Sequence, residues 1–125
     1  MSAPLAYLST PYTHYRHGTV AAWQAACHLV GRLIKAGTNC YSPIAHSHPV
    51  ARYGGLDPLD CDLWISLDQA MMDRCDVLLV AHMEGWEVSK GIAIEVAVFE
   101  AAGKPIFDLD PGMLTMTRRK EREAA

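Results

Sequence analysis

Little in this chain suits a membrane, an oxidising compartment or a nucleic-acid surface. Its longest uninterrupted apolar run, Val77 to Ala81, falls far short of the ~20 residues needed to cross a bilayer. The opening Met1-Ser2-Ala3-Pro4 has no basic stretch followed by an apolar one, so no secretory leader is expected. The four cysteines, Cys27, Cys40, Cys61 and Cys75, form no CxxC pair and no regular framework, which predicts reduced thiols and a cytoplasmic location. Eleven Lys and Arg against fourteen Asp and Glu leave a net charge of -3, and this acid surplus argues against polymeric nucleic acid as a partner. The one basic cluster, Arg118, Arg119, Lys120 and Arg122, is diluted by Glu121 and Glu123. It reads as a solvated or frayed helix end within a C-terminal tail of about residues 111–125. Internal repeats and low-complexity segments are also missing.

What remains is a chain of 125 residues, half of them hydrophobic and 20% charged, the composition of one soluble globular domain over residues 1–125. Leu5 to Ser9 is a short apolar run stopped by Thr10-Pro11 and reads as a buried first strand. From Thr19 to Ala36, Trp23, Ala26, Cys27, Val30, Leu33 and Ile34 recur at helical spacing, with Gly37 as the C-terminal stop. Asn39 to Ser42 reads as a second strand ended by Pro43. Three prolines and Gly54-Gly55 then predict a long loop over residues 43–60, of the kind that often forms a lid or binding loop. Asp60 or Asp62 caps a helix to about Arg74, with Leu63, Leu67, Ala70 and Met71 on one face. Asp76 to Ala81 is hydrophobic without alternation, as a central parallel strand buried on both faces requires. A helix from Ser89 or Lys90 to Ala102, ended by Gly103, leads to a last strand at Pro105-Ile106-Phe107.

This alternation predicts an α/β three-layer sandwich with a parallel sheet, flavodoxin-like or Rossmann-like. Ligands in such sheets bind beyond the carboxyl ends of the strands, at the switch in strand order. The residues to weigh are therefore Ser9 to His17, Ser42 to His48 and His82 to Gly91.

One carboxylate is out of place. On the helix over 90–103, Ile92, Val96, Phe99 and Gly103 share a face, and Glu95 lies beside it, pointing toward the sheet. A charge there needs a raised pKa, a partner or a ligand; the alternative is a carboxylate that reaches solvent along the sheet edge, favoured by the helix dipole. Ile94, Val98 and Ala101 make the other side apolar too, as burial against a second subunit would require. Just upstream, Ser89 and Gly91 mark a helix N-terminus fit for a phosphate or hydroxyl, although capping by Ser89 alone accounts for them equally well.

Tyr7-Leu8-Ser9-Thr10-Pro11-Tyr12, Asp68 eight residues before Asp76, and Gly91-Ile92-Ala93-Ile94-Glu95 followed by Gly103-Lys104-Pro105 form an ordered set. It resembles the nucleoside 2-deoxyribosyltransferase superfamily, which includes 2'-deoxynucleoside 5'-monophosphate N-glycosidases, over roughly residues 5 to 107. The likeness is greatest to a small bacterial and phage branch carrying the same Ser-Pro-Ile-x-His-Ser-His segment. The resemblance implies that Glu95 is a nucleophile toward C1' of a deoxyribose, that Asp68 manages the proton on the leaving base, and that Ser89 touches a 5'-phosphate. It also implies that Tyr7 and Tyr12 shape the sugar site. Ser9, Pro11, His14, His46, His48 and Gly91 complete the candidate substrate contacts, and no cofactor is called for.

The residue types suit that chemistry by themselves. A carboxylate can trap an oxocarbenium-like centre while a second carboxyl protonates the departing group, and two acids ~5 Å apart permit a covalent intermediate with retention. A helix-surface aspartate is the plainer reading of Asp68. His46 and His48, with Asp57, Asp60 or His82, form a weaker candidate for Zn²⁺. Arg16 and Arg52 are candidate phosphate contacts by their place in ligand-side loops, His28 reads as structural, and Trp64, Met71 and Met72 as core or interface. The expected function is hydrolysis or transfer at the N-glycosidic bond of a (deoxy)nucleotide or nucleoside by a cytoplasmic homo-oligomer. A non-catalytic nucleotide-sensing module and a metal-dependent hydrolase are the alternatives. The Pro-Gly-Gly-x-Gly-Thr motif of the phosphoribohydrolases that share this fold class is missing.

Overall fold

A computed structural model describes residues 3–121; Arg122 and Glu123 of the basic cluster lie outside them. Five strands, β1 (Leu5–Ser9), β2 (Asn39–Tyr41), β3 (Val77–Ala81), β4 (Ile106–Leu109) and β5 (Met116–Arg118), form one sheet in the order β2-β1-β3-β4-β5. The first four are parallel, with Tyr7 beside both Tyr41 and Leu78, and Leu79 beside Phe107. This is the expected α/β fold, with the strand order reversing between β1 and β3. Helices α1 (Thr19–Lys35), α2 (Pro43–Gly54), α3 (Cys61–Arg74) and α4 (Lys90–Ala101) connect and cover the strands. Among the described residues no helix is long and apolar enough to cross a membrane.

Two cores follow from the two-residue period of the strands. Ala6, Leu8, Leu79, Ala81 and Leu109 meet Leu29 and Leu33 of α1. Tyr7, Leu78, Val80 and Ile106 meet Met72 of α3 and Ile92 and Phe99 of α4 on the opposite face. Because alternate residues share a face, Ser9 lies on the same side as Tyr7, toward α4. The end of α1 is set by Gly37 at φ 91: its N–H bonds the Ile34 carbonyl at 3.0 Å and the Thr38 N–H bonds Leu33 at 2.9 Å, a left-handed cap that glycine adopts freely. The buried line of α1 is Ala22, Ala26, Leu29 and Leu33, whereas the predicted Cys27 and Ile34 are exposed.

Three expectations are corrected. Residues 43–54 are helical, not loop. Ser42 caps α2 by accepting the Ala45 N–H at 3.1 Å, and Pro43 occupies the first helical position, where its missing N–H costs nothing. On α3, Asp60 is the cap, but the face turned inward is Trp64, Asp68 and Met72; Leu63 and Leu67 are exposed. The basic end is no frayed helix. Residues 116–118 pair antiparallel with β4, and the next residue, Arg119, donates to both carboxylate oxygens of Asp108 at 2.8 and 2.9 Å.

Lys104 ties the second core together. Its Nζ donates to the carbonyls of Met72, Asp73 and Cys75 at 3.1, 2.9 and 2.8 Å, satisfying the end of α3. Lys104→Ala should lower the unfolding free energy by ~1–3 kcal/mol, measured by urea titration, because three carbonyls, two of them in partly buried contacts, then lose a charged donor.

Candidate active site

Glu95 reaches the sheet because α4 is fastened by Ser89, whose hydroxyl accepts the Ile92 N–H at 3.3 Å, and by the burial of Ile92 and Phe99 on either side of it. The Ser9 hydroxyl donates to Glu95 Oε1 at 2.5 Å. The buried Tyr7 hydroxyl faces the same carboxylate, close enough to lower its pKa yet outside good hydrogen-bond geometry. Burial outweighs both contacts and, with the charge of Asp68 adding to it, pushes the Glu95 pKa from 4.5 to about 7. Tyr7 is itself held far above the ordinary tyrosine range, first by burial and then by Glu95 and Asp68.

Glu95 opens into a cavity of about 390 Å³ beyond the carboxyl ends of β1 and β3, a volume typical of small-molecule sites. The β1–α1 loop supplies Thr10 to Tyr15. The α2 and α3 helices supply Pro43, Ile44, Ser47, Cys61, Trp64, Ile65 and Asp68, and residues 84–94 supply Glu84, Gly85, Val88, Ser89, Lys90, Gly91 and Ile94. Asp68 is half-buried; burial raises its pKa and the nearby His46 opposes the shift. Tyr41, pushed up to about 12 by burial and then by Asp68, Cys75 and Glu95, lies within the field of both acids.

Among the residues singled out from sequence, Glu95, Asp68, Pro11, Tyr12, His14, Ser89 and Gly91 therefore share one cavity. Tyr7 and Ser9 lie under it, fully buried against Glu95. His46 and His48 do not line it; His46 is exposed on α2, near enough to Asp68 to oppose its raised pKa. His48 is buried, hydrogen-bonded to the Tyr12 hydroxyl at 2.7 Å and stacked on Trp23 at 4.9 Å, so it fixes the tyrosine that faces the cavity. Burial, with Arg52 adding to it, lowers the His48 pKa.

His82 belongs elsewhere, bonded to Asp108 at 2.8 Å and stacked on Trp86. Among the described residues no group of three or more His, Cys, Asp or Glu side chains could hold a metal ion, so the zinc arrangement is not assembled. Arg16 is paired with Glu84 at 3.0 Å, and Arg52 lies over Tyr53 and outside the cavity lining. His28 is exposed on α1.

Sequence reasoning marked residues 42–48 as ligand-side but read them as loop, and it missed Ile65, so the helical wall of Pro43, Ile44, Ser47 and Ile65 was not foreseen. The signal was available in the Ser42-Pro43 pair, a cap followed by the proline that favours a first helical turn. A family model described as a domain of unknown function, DUF1937, matches residues 5–110. No curated protein matches the chain.

Proposed function

The chain belongs to that family, and we propose that it cleaves or transfers the N-glycosidic bond of a (deoxy)nucleoside or its 5'-monophosphate, with Glu95 as the nucleophile. The observation that carries this reading is the Glu95 carboxylate, gripped by Ser9 at the floor of a cavity that also holds Asp68. A carboxylate whose pKa stands at about 7 is weakly solvated and hence reactive once ionised. Its oxygen bonds C1' as the C1'–N bond breaks. The electron pair of that bond passes to the base nitrogen, which takes a proton from Asp68. The glycosyl ester is then opened by water, releasing the sugar and restoring the carboxylate, or by the nitrogen of a second base.

Burial raises the pKa of Asp68 and so favours the protonated form that a general acid needs, while Glu95, at about 7, ionises near neutral pH. Ser89 and Lys90 at the start of α4 support a place for a phosphate when the substrate carries one. Exposed Leu63, Leu67 and Ile94 support a homo-oligomer, and four unpaired cysteines support a reducing, cytoplasmic location. The net charge of -3 supports small ligands over polymeric nucleic acid.

Incubation with deoxynucleosides, ribonucleosides and their monophosphates, followed by chromatography for free base, tests the proposal. Base release is the expected result. Tight binding of a nucleotide with no release from any compound would replace it with the sensing module.

A further inference from the structure

Three buried side-chain groups have no hydrogen-bond partner among the described residues: the Tyr7 hydroxyl, the Trp23 indole N–H and the Thr10 hydroxyl. Buried polar groups are nearly always paired, so each calls for a reason. Tyr7 faces Glu95 from beneath the cavity and Trp23 is stacked on His48 outside the lining, which leaves Thr10 as the one that lines the cavity. Thr10 is 5% exposed, and its oxygen is closed off from solvent. The chain itself withholds a common partner. A threonine hydroxyl in a loop often bonds a neighbouring backbone N–H, and the adjacent Pro11 has none. Pro11 also restricts Thr10 to extended backbone, so with no bond on the hydroxyl a turn about χ1 is the one local movement that presents it to a ligand.

We propose that Thr10 determines specificity, its hydroxyl forming a hydrogen bond with a hydroxyl group on the pentose of the ligand. That the ligand carries a pentose rests on the glycosidase reading; that a polar ligand group meets Thr10 rests on the orphaned hydroxyl. Thr10 stands one peptide unit, ~3.8 Å, beyond Ser9, and Ser9 holds the carboxylate that meets C1'. The ligand groups nearest this pair of residues are therefore those on the ring that contains C1', rather than the far edge of the base. A pentose hydroxyl donates and accepts, as threonine does, so the two are complementary in either direction. A ligand that supplies this hydroxyl pairs a group the folded chain leaves unpaired. One that lacks it forfeits the bond, a difference of about tenfold in affinity.

The test uses the full chain and Thr10→Val, which keeps the shape of the side chain and removes its hydroxyl. Without ligand, Thr10→Val should unfold at the same urea concentration as the unaltered protein or a higher one, because no bond is lost. A lower midpoint would mean that the hydroxyl already serves the fold, and the inference would fall. Binding is measured by calorimetry on Glu95→Gln with and without Thr10→Val. The first compounds are the ribo- and 2'-deoxyribonucleosides of adenine, guanine, cytosine and uracil; the next are forms of the tightest binder that lack its sugar hydroxyls one at a time. Thr10→Val should weaken the tightest binder about tenfold, and for one of the hydroxyl-deleted forms the valine and threonine proteins should bind alike. A valine loss of full size with every deleted form puts the partner elsewhere on the ligand, and no valine loss at all removes the partner; either result overturns the inference. Base release from the same nucleosides and their monophosphates is followed on the unaltered protein. Coupling between Thr10 and one hydroxyl without any release keeps the inference and ends the glycosidase reading, whereas release without coupling does the reverse. Failure of every nucleoside to bind overturns the inference, and failure of every compound to release base overturns the glycosidase reading.

Discussion

Glu95→Gln should abolish base release while making the protein more stable at neutral and alkaline pH. Removing the group proposed to form the covalent bond is expected to cost on the order of 10⁴-fold or more in rate, as for catalytic residues that act as one unit with their neighbours. The amide is the same size as the carboxyl, and the Ser9 hydroxyl can still donate to its oxygen. Stability moves the other way because the folded protein holds this acid at about 7 against 4.5 for an ordinary glutamate.

Below pH 4.5 the carboxyl is protonated whether the chain is folded or not, and the substitution gains nothing. Between 4.5 and 7 the unfolded chain sheds the proton and the folded chain keeps it, so the unaltered protein loses stability as pH rises. Above 7 the loss is complete at up to about 3 kcal/mol. Urea unfolding at pH 4, 6 and 8 should therefore show an advantage of Glu95→Gln that grows from nothing to its full value. In the unaltered protein, kcat/KM for base release should fall on the acid side of about pH 7, where the proposed nucleophile is protonated. An advantage independent of pH, or undiminished base release, would refute the role given to Glu95.

Asp68→Asn carries the second large effect, a loss of ~10²- to 10⁴-fold for bases that must be protonated to depart. The loss should shrink for nucleosides whose base leaves readily without a proton, since an amide fails only in the transfer step. A second readout is independent of rate. The charge of Asp68 is one of the causes that raise Glu95, so its removal should shift the acid limb of the pH profile to lower pH. Equal losses across all leaving groups, with an unmoved limb, would make Asp68 a structural aspartate of α3.

Much of this site was legible in one dimension. Tyr7 and Ser9 alternate along β1, and Glu95 sits three residues after Ile92 and four before Phe99, so strand and helix periods alone turn all three toward the same interface. The walls were harder to read. Pro43, Pro49 and Gly54-Gly55 carry the signature of a loop, yet Pro43 serves as the first residue of α2 and Gly55 as its left-handed cap at φ 69, the roles in which these residues favour a helix. On α3, apolar residues occur on both sides. Nothing within the helix indicates that Trp64 and Met72 turn inward, carrying Asp68 with them, while Leu63 and Leu67 remain outside.

The β3 strand, the extents of α1 and α4 and the α/β architecture follow from short-range chemistry: an apolar period, a capping hydroxyl, a glycine able to take positive φ. These act over a few residues and are written out in order along the chain. The cavity and the raised pKa of Glu95 depend on groups far apart in sequence, Ser9 and Glu95 being separated by 86 residues. Desolvation and through-space charge measure distance in three dimensions, so the raised pKa of Glu95 came into being only when α4 was laid across β1.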